Sequence, residues 1–207
     1  MKTYLSVDVD FWFEPTRARE QLMLLMQRIG KIPVIAVMNH QQMLREVNAS
    51  NARRLINVDE HSDLAERDVT TFQCGTWASY VNWRHQGEYV WIRPDVSYQG
   101  SCNGDDRAIW NFGTDWKHSV SRHISRKNLK LTTYLQDCVG VGICMSPAYA
   151  PTDVIEVFRE IVDRYGIPYR KGRLNEMQAR RMRPSGFPRL PTKAAERKLI
   201  LTAYGHP

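Results

Sequence analysis

Three apolar runs in the first third of the chain each end in ionisable side chains. Tyr4-Leu5 leads into Ser6-Val7-Asp8-Val9-Asp10, Pro33-Val34-Ile35-Ala36-Val37-Met38 into Asn39-His40, and Leu55-Ile56-Asn57-Val58 into Asp59-Glu60-His61-Ser62-Asp63. The runs read as buried strands. A carboxylate at the end of such a strand is unfavourable unless it is paired or bound to a cation. Four aspartates and two histidines placed this way therefore point to a metal site. Two divalent ions about 3.5–4 Å apart account for so many shared oxygen donors. Residues 59, 61 and 63 would face the same way from an extended segment, as would Asp8 and Asp10. Oxygen donors with only two imidazoles suit a hard or borderline ion such as Mn²⁺.

The rest of the pattern alternates strand and helix, which argues for an α/β domain with a mainly parallel sheet. Strands are expected at 4–9, 34–38, 55–58, 89–92, 129–135 and 139–145. Helices are expected at 15–29, 41–48, 75–83 and 174–182. A further helix follows Ser146-Pro147, with Asp153 as its cap, Glu156 three residues on, and Val157, Phe158, Ile161 and Val162 turned inward. With 207 residues, a single domain over 1–207 is expected, large enough to bury a substantial core. Within it, 183–207 forms an extended, proline-containing linker and a last short helix.

Apolar residues make up 43% and charged residues 25%, which is ordinary for a globular chain and excludes a disordered one. No apolar run reaches the ~20 residues of a membrane span, and Met1-Lys2-Thr3 leads straight into a strand. A cytoplasmic protein with no membrane partner is expected. The cysteines, Cys74, Cys102, Cys138 and Cys144, lack CxxC spacing, so free thiols are expected rather than a zinc ribbon. The net charge is +7, with its excess near the end at Arg170, Lys171, Arg173, Arg180, Arg181, Arg183, Arg189, Lys193, Arg197 and Lys198. Such a region reads equally as a solvated face or as an attractor of an acidic partner. No nucleic-acid module accompanies it, which ranks RNA or DNA low. Residues 95–116 combine Gly, Asn, Ser and Asp with Tyr98, Trp110, Phe112 and Trp116. A segment this long reads as a lid or substrate-contacting loop, with Trp110 and Trp116 as candidate substrate-binding residues.

At its acidic segments the sequence resembles the ureohydrolase family of arginases, agmatinases and their relatives. The family's D-x-H-x-D segment matches Asp59-Glu60-His61-Ser62-Asp63, its S-x-D-x-D segment matches Ser6-Val7-Asp8-Val9-Asp10, and its isolated metal-binding histidine matches His40. In typical members S-x-D-x-D follows D-x-H-x-D, whereas here it comes first, so the chain resembles a compact, circularly permuted relative. It is most similar to the small peptide arginases that convert arginine to ornithine within ribosomally made peptides. The likeness covers residues 4–10 and 33–64 well and the remainder weakly.

The resemblance implies an arginase-like three-layer α/β/α fold with its metal site at the carboxyl ends of the strands. It implies two Mn²⁺, one held by His40, Asp59, Asp63 and Asp8, the other by His61, Asp59, Asp8 and Asp10. It further implies attack of a metal-activated water on a guanidinium carbon, with Asp63 shuttling the proton to the leaving amine. A glutamate then orients the guanidinium fork; Glu20 is the first candidate and Glu14 the second. His118 and His123 are candidate auxiliary acid–base groups, although a surface histidine is the commoner reading of each. The implied substrate is an arginine-containing peptide, with the basic tail suited to an acidic leader.

Three other functions compete. One is a ureohydrolase acting on a free small guanidine such as agmatine or arginine. Another is an Asp-x-Asp phosphatase of the haloacid dehalogenase type, which leaves His40 and the 59–63 segment unexplained. The third is a non-catalytic basic binding protein with a degenerate site.

Overall fold

The computed structural model describes residues 1–64, 74–81, 87–95 and 118–171. Seven strands form one sheet: β1 (Thr3–Asp8), β2 (Val34–Val37), β3 (Arg54–Val58), β4 (Glu88–Pro94), β5 (His118–Ile124), β6 (Cys138–Cys144) and β7 (Tyr169–Arg170). Their order is β5-β4-β3-β1-β6-β2-β7, and every adjacent pair is parallel. Among the described residues, three α-helices accompany them: α1 (Pro15–Arg28), α2 (Leu44–Ala49) and α3 (Thr152–Arg164). The α/β reading with a mainly parallel sheet therefore holds.

β1 is the centre of the sheet, and all six of its residues are buried. From β1 the chain crosses through α1 to β2 on one side, then returns through α2 to β3 on the other. A parallel sheet opens a crevice at such a reversal, outside the carboxyl ends of its strands. Register sets which residues meet there. Val7 pairs with Val58, so Asp8 and Asp59 leave the sheet side by side. Asp8 and Val37 both pair with Cys144, so the chain leaving β2 toward His40 starts at the same level.

Alternation along the strands divides the core in two. Leu5, Val7, Ile56, Val141 and Ile143 join Leu22 and Leu25 of α1 and Phe158 and Ile161 of α3 in one cluster. Tyr4, Val37, Leu55, Tyr89 and Trp91 join Met43, Val47 of α2 and Trp77 in the other. Tyr4, Ser6 and Asp8 thus share the face that holds Met43 and Trp77.

Several expected elements differ. The segment 41–48 starts as a 3-10 turn, His40–Met43, before α2 begins. Residues 75–83 were expected as an α-helix, but Cys74–Tyr80 is 3-10. Residues 129–135 form no strand: Leu131–Tyr134 is a 3-10 turn, and Leu131 N donates to Gln21 Oε1 of α1 at 3.2 Å. Leu129 and Leu131 are buried all the same, so their alternation was a real burial signal without a strand partner. β5 was not expected at all. The cap of α3 is Pro151 rather than Asp153, whose Oδ1 instead accepts from Val154 N at 2.9 Å. The inward set Val157, Phe158, Ile161 and Val162 is buried. Among the described residues Cys74, Cys138 and Cys144 are free thiols, and no helix is long and apolar enough to cross a membrane. The segment 96–116, the helix at 174–182 and the tail 183–207 lie outside the described residues, as do Trp110 and Trp116.

Candidate metal centre

Asp8 ends β1, Asp10 sits in the 3-10 turn Val9–Phe11, His40 opens the turn after β2, and Asp59, His61 and Asp63 follow β3. Asp8, Asp10, His40, Asp59 and Asp63 are all buried, and His61 is partly so. The structure brings all six together. His40 Nδ1 lies 3.2 Å from Asp8 Oδ2, 3.0 Å from Asp59 Oδ2 and 2.8 Å from Asp63 Oδ2. A single N–H cannot satisfy three carboxylates from three separate segments. Donors held about 2.1 Å from a common ion lie about 3.0–3.4 Å apart at their edges, close to the 2.8–3.2 Å found here. His61 Nδ1 lies 3.4 Å from Asp10 Oδ2 and 3.7 Å from Asp59 Oδ1. Asp59 therefore turns one oxygen to each histidine.

Asp10 gives a separate indication. Its side chain is fully buried, yet neither carboxylate oxygen has a hydrogen-bond partner among the described residues. Orphaned buried acceptors are rare and unfavourable. The donor set Asp10, Asp59 and His61 could hold a cation, as could His40, Asp59 and Asp63. A third group, Asp8, His40 and Cys144, adds a buried thiol.

Neighbouring groups fix the donors in place. Ser6 Oγ lies 2.6 Å from His40 Nε2 and 3.1 Å from Met43 Sδ. If Ser6 gives its proton to the sulfur, it accepts from Nε2–H and leaves Nδ1 free to face a cation. Orienting contacts of this kind are general for metal-binding histidines. The turn bearing His40 is anchored by Gln42, whose Oε1 accepts from Met38 N at 3.0 Å and Asn39 N at 2.9 Å. Asp8 Oδ1 accepts from Asp10 N at 3.1 Å, and Ser146 Oγ donates to Asp8 Oδ2. Asp59 accepts from His61 N at 2.8 Å and from Asn57 Nδ2 at 3.1 Å. Trp77 Nε1 donates to Asp63 Oδ2 at 2.6 Å, and Trp91 Nε1 to the Asp59 carbonyl at 3.0 Å.

The 59–63 segment is not extended. Asp63 has φ 55°, in the left-handed region, and Ser146 has φ 42°. The donors thus converge through a turn rather than through strand alternation. Such backbone conformations are unfavourable for residues other than glycine and gather where side chains must be aimed.

Glu60 points away from the donors. It is fully buried and ion-paired with Arg126, which also donates to the Phe11 carbonyl at 2.6 Å. One guanidinium thus ties the Asp8–Asp10 turn to the Asp59–Asp63 turn. The guanidinium also lies over the rings of Phe11 and Phe13. Sequence reasoning missed Arg126, Ser146, Trp77 and Asn57. Only Ser146, directly after an apolar run, carried a signal.

Charge crowding dominates the protonation of the cluster. Burial, then the charges of Asp8 and Asp59, push the Asp10 carboxyl well above its ordinary range. Burial and the charge of Asp59 push Asp63 up to about 7. Burial would raise Asp59 too, but hydrogen bonds from His40 and His61 hold it far below the usual range. Burial would lower both imidazoles. Cys144, Asp63 and Asp59 outweigh it at His40, as Asp10 and Asp59 do at His61, and both end well above the ordinary histidine value.

Glu20 stands outside this cluster. It lies on the exposed flank of α1 and pairs with Arg17 there. Glu14 is the exposed residue preceding α1 and lines a cavity with Trp12 and Arg126. His118 and His123 belong to β5 at the edge of the sheet.

No protein-family model, curated protein or solved structure matches the chain.

Proposed function

We propose that this chain is a dimanganese hydrolase with an arginase-like three-layer fold, which converts an arginine side chain in a peptide to ornithine, releasing urea. One observation carries the reading: three carboxylates crowd one nitrogen of His40, while the buried oxygens of Asp10 lack hydrogen-bond partners among the described residues. Charge supports two ions. Asp8, Asp10, Asp59 and Asp63 carry four negative charges when ionised, which two divalent cations balance. His40, Asp59, Asp63 and Asp8 would hold one ion, and His61, Asp59, Asp8 and Asp10 the other. Two such ions supply a water activated for attack at neutral pH.

The chain's own groups do the rest. Asp63 stands in the donor cluster beside His40 and is oriented by Trp77. That makes it the proton carrier from the attacking water to the leaving amine. Glu14, four residues beyond Asp10 on the cavity wall, is the carboxylate assigned to orient the guanidinium. Glu20 is already committed to Arg17. A phosphatase of the Asp-x-Asp type is disfavoured, because it leaves His40 and His61, both set against the carboxylates, without a role.

The test is urea release by the manganese-loaded protein from a short arginine peptide and from free arginine. The reading expects turnover of the peptide, little of the free amino acid, and a raised KM in Glu14→Gln. Equal or better turnover of free arginine would exclude the peptide assignment.

A further inference from the structure

Cys144 closes β6, the strand between β1 and β2. Its register partners are Asp8 on one side and Val37 on the other. It therefore ends its strand level with one candidate ligand and with the start of the segment that carries another, His40. Register partners in a sheet share a face. Cys144 accordingly packs in the cluster of Tyr4, Val37, Met43 and Trp77, on the face where Asp8 lies.

This register puts a sulfur inside the donor set. The thiol, a ring nitrogen of His40 and an oxygen of Asp8 lie within 4.8 Å of one another, and all three residues are buried. His40 Nδ1 is itself 3.2 Å from Asp8 Oδ2. The same Asp8 oxygen accepts from Ser146 Oγ, which lies 3.2 Å from Cys144 Sγ. Ser146 gives its only hydroxyl proton to Asp8, so toward Cys144 it acts as an acceptor. One serine thus holds the carboxylate and the thiol against each other.

Donor softness separates the two halves of the centre. The half at His61 offers Asp10, Asp59 and one imidazole, which suit a hard or borderline ion such as Mn²⁺. The half at His40 offers carboxylates, one imidazole and the sulfur. Thiolate selects zinc-like ions, and imidazole suits these as well. A divalent ion in contact with a thiol displaces its proton.

We propose that Cys144 is an additional donor to the ion position at His40, and that it gives this position a preference for a zinc-like ion that the His61 position lacks. Supplied with manganese alone, both positions take manganese through oxygen and imidazole. Supplied with both metals, the chain takes a mixed pair. The proposal rests on the metal-centre part of the proposed function and not on its substrate.

The experiment uses Co²⁺, a zinc-like ion whose bond to a thiolate gives a charge-transfer absorption in the near ultraviolet. The metal-free full chain is titrated with Co²⁺ and followed by absorption, with bound cobalt measured by elemental analysis and urea release recorded in parallel. The native chain and Cys74→Ser should show the band. Cys144→Ser and Cys144→Ala should still bind manganese, which shows that they fold, and should lack the band. Cobalt generally binds nitrogen and oxygen sites more tightly than manganese, so the preference is read as the difference between native and variant in a Co²⁺/Mn²⁺ competition. It should fall in both Cys144 variants. A native chain that binds no cobalt or binds it without the band, a band that survives both variants, or an unchanged preference would overturn the sulfur donor. The two readings fail separately. A Cys144-dependent band without urea release sinks only the hydrolase, and urea release without the band sinks only the sulfur donor.

Discussion

At the scale of single residues, the serine of the first acidic segment has a defined task. Ser6 touches no candidate ion; it holds His40 by Nε2 at 2.6 Å. Ser6→Ala should weaken manganese binding by about 10–100-fold, as loss of an orienting contact does, with little change in stability of the metal-free chain. A metal titration followed by a denaturant melt separates the two. Unchanged affinity would mean that packing alone orients the imidazole. The six donors were legible because apolar runs ending in acids are unusual. Their supports were not, because Trp77, Asn57 and Arg126 look like any aromatic, amide or cation in sequence. Only the fold reveals what they touch.

At the scale of elements, Arg126 joins the two turns that carry the candidate ligands. Its partner Glu60 is fully buried. Arg126→Leu takes the ion-pair partner from that carboxylate and removes the donor to the Phe11 carbonyl. Loss of one partner from a buried pair costs on the order of 3–5 kcal/mol; chemical denaturation of the metal-free chain should show it. Glu60→Gln combined with Arg126→Leu should recover part of the loss, because no buried charge is then left unpaired. A loss that the double variant leaves unchanged would remove the clamp from the account.

The same elements explain what the sequence hid. β1, β3 and β6 read as strands because both sheet faces are covered and their runs are apolar. β5 is an edge strand, and His118-Ser119-Val120-Ser121-Arg122-His123-Ile124 holds only two aliphatic residues. Leu129 and Leu131 misled in the opposite direction, since a turn packed on α1 buries alternate residues just as a strand does.

At the scale of the whole molecule, the fold concentrates carboxylates at one buried point and thereby makes stability depend on pH. Asp63 has its carboxyl at about 7 when folded, against 3.8 as the ordinary value. Its ionised form therefore opposes folding. That penalty is absent below the unfolded value, grows as pH rises from about 4 to 7, and is constant above. Asp10 is raised too and acts in the same direction. His40 and His61 are also raised, so the stability they contribute when protonated is lost as pH rises through their folded values. Asp59 is depressed and acts oppositely, but only below its unfolded value near 4. The metal-free protein should thus grow more stable on acidification from pH 7 to pH 5, the reverse of ordinary acid denaturation. Manganese should flatten or invert the trend, because ligands must lose protons to bind it. Thermal melts across that range, with and without Mn²⁺, read both effects. A metal-free chain that loses stability steadily below pH 7 would contradict the crowding described.

The most direct test of the central claim is the manganese content of protein purified with Mn²⁺ and then dialysed, measured by elemental analysis beside Asp59→Ala. Asp59 turns one oxygen to each histidine, so its loss should empty both positions. The account predicts about two manganese per chain and close to none in the variant. One ion or none in the native chain, unchanged by Asp59→Ala, would contradict it.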